Sequence, residues 1–172
     1  MLLRDYRPAD LAVVHAINQG EVPAVGSEEI DDLAHIASES LVALVAEVDD
    51  ELAGFCMVLA PGADYDSGNY LWFSDRYEDF VYLDRIAIPS RFQRAGIGRA
   101  MYAEVERRTA ALRPTATRFT LEVNLEPRND RSLAFHGALG FVEVGRRNTE
   151  YGSYVSLMAK SLTADSPMVE SH

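Results

Sequence analysis

Gly96 and Gly98, separated by Ile97, stand directly before a run in which Ile97, Met101, Val105 and Leu112 recur near one face of a helix. Two glycines at the mouth of a helix leave the amide N–H groups of the turn uncovered at the positive end of the helix dipole, an anion site suited to phosphate or pyrophosphate. Arg91, Arg94 and Arg99 add forked cationic donors around it. The Lys-Ser/Thr ending of a Walker loop is missing, as is the third glycine of the dinucleotide fingerprint, so a phosphate loop of another kind is predicted. Two carboxylates interrupt apolar strand-like runs: Asp84 after Leu83, and Glu122 in Leu121-Glu122-Val123-Asn124. Burial would raise the pKa of Glu122 toward the range useful to a base. His15, His35 and His172 have no supporting constellation, and no metal site is predicted. Cys56, the single cysteine, sits in the apolar run 52–59; nothing beside it would activate the thiol, and no internal disulfide can form.

The elements that must position these groups follow from period and punctuation. A short strand is predicted over 2–6, a helix over 11–17 with Asp10 as N-cap, and a second helix to about Ser38 behind the capping-box pattern Ser27-Glu28-Glu29-Ile30. Residues 41–48 and 51–59 read as an antiparallel hairpin about Asp49-Asp50. Residues 60–79 read as a long polar loop holding Tyr65, Tyr70, Trp72, Phe73 and Tyr77, which either line a pocket or pack the loop onto the domain. A central strand over 80–88 ends at Pro89, a helix over 98–112 closes at Arg113-Pro114, and a strand is predicted over 117–123. A helix over 130–139, strands over 141–146 and 154–159, and a flexible tail over 163–172 complete the expectation of one domain over 1–162.

Gln93-Arg94-Ala95-Gly96-Ile97-Gly98 resembles the Gln/Arg-x-x-Gly-x-Gly/Ala signature of the GNAT superfamily of acetyl-CoA-dependent N-acetyltransferases. Downstream, Asn129-Asp130-Arg131-Ser132-Leu133-Ala134-Phe135-His136-Gly137-Ala138-Leu139-Gly140-Phe141 is similar to that family's asparagine, short helix, aromatic pair and Leu-Gly-Phe ending. The resemblance implies an α+β (α/β/α) fold: a mixed, mostly antiparallel sheet of six to seven strands with a splayed central pair and about four flanking helices. It implies acetyl-CoA as cofactor. Backbone groups of Ile86, Ala87 and Ile88 would pair with the pantetheine arm, the segment Gln93, Arg94, Ala95, Gly96, Ile97, Gly98 and Arg99 would hold the pyrophosphate, and Asn129 with Ser132 would contact the cofactor. Ile86 and Ile88 are equally core residues, because the proposed contacts are made by backbone.

Acetyl transfer from a thioester to an amine needs a neutral amine, a polarised carbonyl and a proton for the departing thiolate. By resemblance Glu122 falls where some family members that acetylate protein N-termini carry their base; the other reading is a hydrogen-bonded structural residue. Asp84 is the alternative base, or pairs with neighbouring-strand residues. His136 occupies the place where the family most often has a tyrosine acid, and is either its substitute or a packing residue.

The formal charge is −11, and it is unevenly placed: residues 1–89 hold 4 basic and 18 acidic side chains, residues 90–172 hold 12 and 9. That balance argues against nucleic acid and anionic membranes as partners. Glu21, Asp64, Asp66, Asp75, Glu78 and Asp79 in the variable segments favour a cationic acceptor, an amine-bearing small molecule or peptide, and a homodimer is allowed. The lone cysteine and the absence of a signal-like N-terminus lead to a cytoplasmic expectation. The expected activity is direct acetyl or acyl transfer to a primary amine. Its rival is a catalytically silent CoA-binding module of the same fold.

Overall fold

The computed structural model describes residues 1–162; the predicted tail over 163–172 lies outside them. In chain order the elements are β1 (Leu2–Asp5), a 3-10 turn (Pro8–Asp10), α1 (Leu11–Gly20), α2 (Ile30–Glu39), β2 (Val42–Val48), β3 (Glu51–Leu59) and α3 (Gly68–Ser74). They continue with β4 (Val81–Ala87), a second 3-10 turn (Ser90–Phe92), α4 (Ile97–Leu112), β5 (Arg118–Glu126), α5 (Asp130–Ala138), β6 (Val142–Asn148) and β7 (Tyr154–Ser161). The seven strands form one sheet in the order β1-β2-β3-β4-β5-β7-β6. Every neighbouring pair is antiparallel except β4 and β5.

That exception shapes the molecule. β4 and β5 pair only at Val81–Phe119 and Tyr82–Thr120, with the Thr120 hydroxyl donating to the Val81 carbonyl at 3.0 Å. Beyond Tyr82 the strands part, leaving the β5-facing backbone of β4 without a strand partner among the described residues. On its other edge β4 follows β3, but Met57 pairs with Arg85 and Val58 with Leu83, so Asp84 is the extra residue of a bulge.

Alternation along the strands sends side chains to two cores. Val81, Leu83, Phe119, Leu121 and Val123 pack on one face with Ile97, Met101, Tyr102 and Val105 of α4, and Leu133 and Phe135 of α5 join them. On the other face Phe55 and Met57 meet Val14, Leu33 and Ile36 of α1 and α2, while Tyr82 and Leu59 meet Tyr70 and Phe73 of α3. The Asp49-Asp50 turn has both residues at positive φ, 50° and 63°, the conformation of a tight hairpin turn.

The structure departs from the sequence expectation in two places. The stretch read as a loop over 60–79 contains a fifth helix, α3, whose Tyr70 and Phe73 are buried. Gly68 and Asn69 are weak helix formers, and the helix stands because its aromatic face docks on β4 and β7. Ser27 does not cap α2: Glu29 is the N-cap residue, and the Ser27 hydroxyl accepts from Gln19 Nε2 at 3.0 Å.

Candidate active site

The anion site comes first. Gly96 caps α4 in the left-handed region (φ 80°), a conformation that costs glycine little, and no atom lies within 4 Å of the place where a Cβ would stand. The first helical bond runs from Ala100 N to Gly96 O at 3.1 Å, so the amides of Ile97, Gly98 and Arg99 keep their first-turn freedom to bind an anion. A Cβ on Gly98 would sit 3.5 Å from the Phe135 ring and 3.6 Å from Ile88, which seats the start of α4 against α5 and the end of β4. Arg94 and Arg99 are exposed and take part in no ion pair among the described residues. Arg91 instead pairs with Glu51 and lies 4.8 Å above the Phe92 ring.

Several residues expected to touch a cofactor have groups committed within the fold. Gln93 Nε2 donates to the Ile88 carbonyl at 2.8 Å, and its Oε1 accepts from Arg131 at 3.0 Å. Gln93 therefore buttresses the turn, and Ile88 has given its carbonyl to it. Asn129 caps α5, its Oδ1 accepting from Ser132 N at 3.1 Å. Ser132 is drawn to His136, whose Nδ1 donates to the Ser132 carbonyl at 2.7 Å. The open backbone of Ile86 and Ala87, Ala95, and the turn amides remain as groups that fit a pantetheine arm and a pyrophosphate.

His136 is 6% exposed. Its Nε2 meets the Tyr102 hydroxyl at 2.6 Å, and the ring packs edge-on against Tyr102, Phe135 and Phe141. With Nδ1 donating and Nε2 accepting, both nitrogens are used, and burial lowers its pKa. This geometry is that of a packing residue.

Glu122 lies two residues beyond the last β4–β5 pair and points to the face of α3. It is half-buried. Tyr82 donates its hydroxyl to Glu122 Oε2 at 2.7 Å, and Asn69 of α3 stands near it as a second polar neighbour. Burial pushes Glu122 up to about 7, although both neighbours favour the charged form and pull the other way. Tyr82 is held well above the ordinary phenol range by burial and then by Glu122, so it keeps the proton it donates.

Asp84 is tied down. Arg85 Nε donates to its Oδ2 at 2.7 Å, and the Tyr65 hydroxyl donates to its Oδ1. Arg85 also donates to Asn18 Oδ1 (3.1 Å), the Gly26 carbonyl (3.2 Å) and Glu28 Oε1 (2.8 Å), stitching the α1–α2 connection to the β4 bulge. Of the two carboxylates, Asp84 is half of a buried ion pair, whereas Glu122 makes no ion pair among the described residues. Reasoning from sequence missed Tyr82, Asn69 and Arg85. Polar residues at 82 and 85 inside an apolar strand were a signal; Asn69 gave none.

A helix start with open first-turn amides thus stands at one end of a splayed parallel pair, and the Glu122 carboxylate lies on the neighbouring strand just beyond the point of parting. The acetyltransferase (GNAT) family model matches residues 11–141, and the chain belongs to that family. It is 29% identical over 121 residues to the uncharacterized N-acetyltransferase YesJ of Bacillus subtilis strain 168, covering 70% of this chain and 62% of the relative's length. Among solved structures, Ard1 from Thermoplasma volcanium superposes with a TM-score of 0.75 at 19% identity, over 94% of this chain and 97% of that one. The ribosomal-protein-S18-alanine N-acetyltransferase of Escherichia coli gives 0.72 at 19% identity, over 98% and 97%. These two are likenesses of fold.

Proposed function

We propose that this protein transfers an acetyl group from acetyl-CoA directly to a primary amine, with Glu122 as the general base. The observation that carries the reading is the Glu122 carboxylate seated where β4 and β5 part, with the Tyr82 hydroxyl donating to it at 2.7 Å; burial raises its pKa toward neutrality. Acetyl-CoA, when bound, supplies the acetyl group as a thioester open to attack by a neutral amine. The Ile97, Gly98 and Arg99 amides with Arg94 and Arg99 hold the pyrophosphate, and the unpaired edge of β4 about Ile86 and Ala87 holds the arm. Glu122 accepts the ammonium proton of the acceptor, for which a carboxylate near neutrality is suited; the neutral nitrogen forms the new C–N bond, the C–S bond breaks, and the thiolate takes up the second proton that the nitrogen gives up in becoming an amide. Tyr82 and Asn69 keep its oxygens directed into the cleft. No activated thiol competes: Cys56 is enclosed and burial pushes it up to about 12.

The acceptor is a cationic small amine or a peptide N-terminus, reached from the α1–α3 face. The peptide form is in keeping with a fold neighbour named for an alanine of a ribosomal protein. Of the acidic residues that motivated a cationic acceptor, Asp79 is spent on Arg113 (2.5 Å) and Thr115, and Asp64 lies 3.8 Å from His35. Glu21, Asp66, Asp75 and Glu78 carry that preference. Thiol release from acetyl-CoA over a panel of small amines and short peptides, at pH 6 to 9, tests the reading: acceptor-dependent release lost in Glu122→Gln is expected. Tight acetyl-CoA binding with no release for any acceptor would favour the silent module, a reading that the enclosed His136, at the usual place of the acid, supports.

A further inference from the structure

α3 and β6 approach each other so closely that side chains must be missing at the contact. A Cβ on Gly145 would stand 2.5 Å from the Trp72 ring, and a Cβ on Gly68 would collide with the Arg147 guanidinium and the Glu150 carboxylate. The space left at Gly68 is filled by Arg147, one-fifth exposed, which crosses from β6 to α3. Its Nη1 donates to Asn69 Oδ1 at 2.7 Å and its Nη2 to Glu150 Oε1 at 2.5 Å.

A guanidinium has only donors, so the atom it meets on Asn69 is the carbonyl oxygen. That leaves the Asn69 amide N–H group free for Glu122, whose charged form Asn69 favours. Rotated by half a turn, the same side chain would present its oxygen to a carboxylate, two acceptors face to face. We propose that Arg147 is a positioning residue for Glu122, acting through Asn69: it locks the amide so that a donor, and never an acceptor, faces the carboxylate. The last hairpin is thereby wired to the candidate base across α3, and the glycines at 68 and 145 are the spaces that allow the wire. The inference rests on Glu122 being the base for its meaning, but its test reads the carboxyl itself.

The Glu122 carboxyl is followed by carbon NMR in protein labelled with 13C-glutamate, its resonance identified by loss in Glu122→Gln. Asn69→Leu removes the donor, and the titration midpoint rises by about one pH unit. Arg147→Met moves it the same way, the double variant moves it no further than Asn69→Leu alone, and Arg147→Lys, still a donor-only cation, holds it near wild type. An unmoved midpoint in Asn69→Leu, or additive shifts in the double variant, overturns the proposal. If Asn69→Leu does not fold, the Arg147 pair decides: equal midpoints in Met and Lys overturn it. Full turnover in Glu122→Gln would sink the base assignment instead, while the midpoints still report on the relay.

Discussion

Glu122→Gln separates the chemistry of the carboxylate from its contribution to folding. Burial lifts Glu122 from 4.5 to about 7. A carboxyl whose folded pKa exceeds its unfolded one stabilises the fold fully below the unfolded pKa and loses that stabilisation as pH rises through the folded one. Between pH 5 and 8 a rise of this size removes roughly 2–3 kcal/mol from the wild-type protein. Glutamine cannot ionise, so it carries none of this loss, although its amide must meet the Asn69 donor and costs some stability at every pH. The difference in unfolding free energy between variant and wild type should therefore move in the variant's favour by about that amount across the window. Urea unfolding at several pH values from 5 to 8 measures it, and comparing slopes cancels the constant penalty. Acceptor-dependent thiol release should have its acid limb near pH 7 in the wild type and be lost in the variant. A stability difference that does not change with pH would refute the account of Glu122 as a deeply surrounded, near-neutral carboxyl, whatever the activity showed.

Gly96→Glu should abolish acetyl-CoA binding in calorimetry, because it places a charged side chain in the open cradle and strains a backbone at φ 80°; retained affinity would displace the anion site from this turn. His136→Phe should lower stability by about 1–3 kcal/mol through the lost Tyr102 and Ser132 bonds and leave turnover near wild type, whereas a selective fall in turnover would restore His136 as the acid. Arg85→Met strands Asp84 and Glu28 and should cost about 3–5 kcal/mol, with faster hydrogen exchange over residues 21–29; an unchanged exchange pattern would show that the α1–α2 connection is held by other contacts.

The sequence by itself determined the strand, proline and glycine order that makes the phosphate loop, since glycine spacing before an amphipathic helix is local information. The hairpin about Asp49-Asp50 was legible for the same reason. α3 was not, because a seven-residue segment with Gly68 and Asn69 at its start is helical only through what Tyr70 and Phe73 bury. Nor could spacing choose between Asp84 and Glu122: both are lone carboxylates in apolar strands. The choice fell to partners distant in sequence, Arg85 reaching Asp84, Glu28 and Asn18, and Tyr82 and Asn69 reaching Glu122. His136 matched a tyrosine position in sequence, yet its nitrogens are consumed by Tyr102 and the Ser132 carbonyl. Charge state and proton availability depend on burial and on neighbours brought together by folding, and those are properties of the tertiary structure alone.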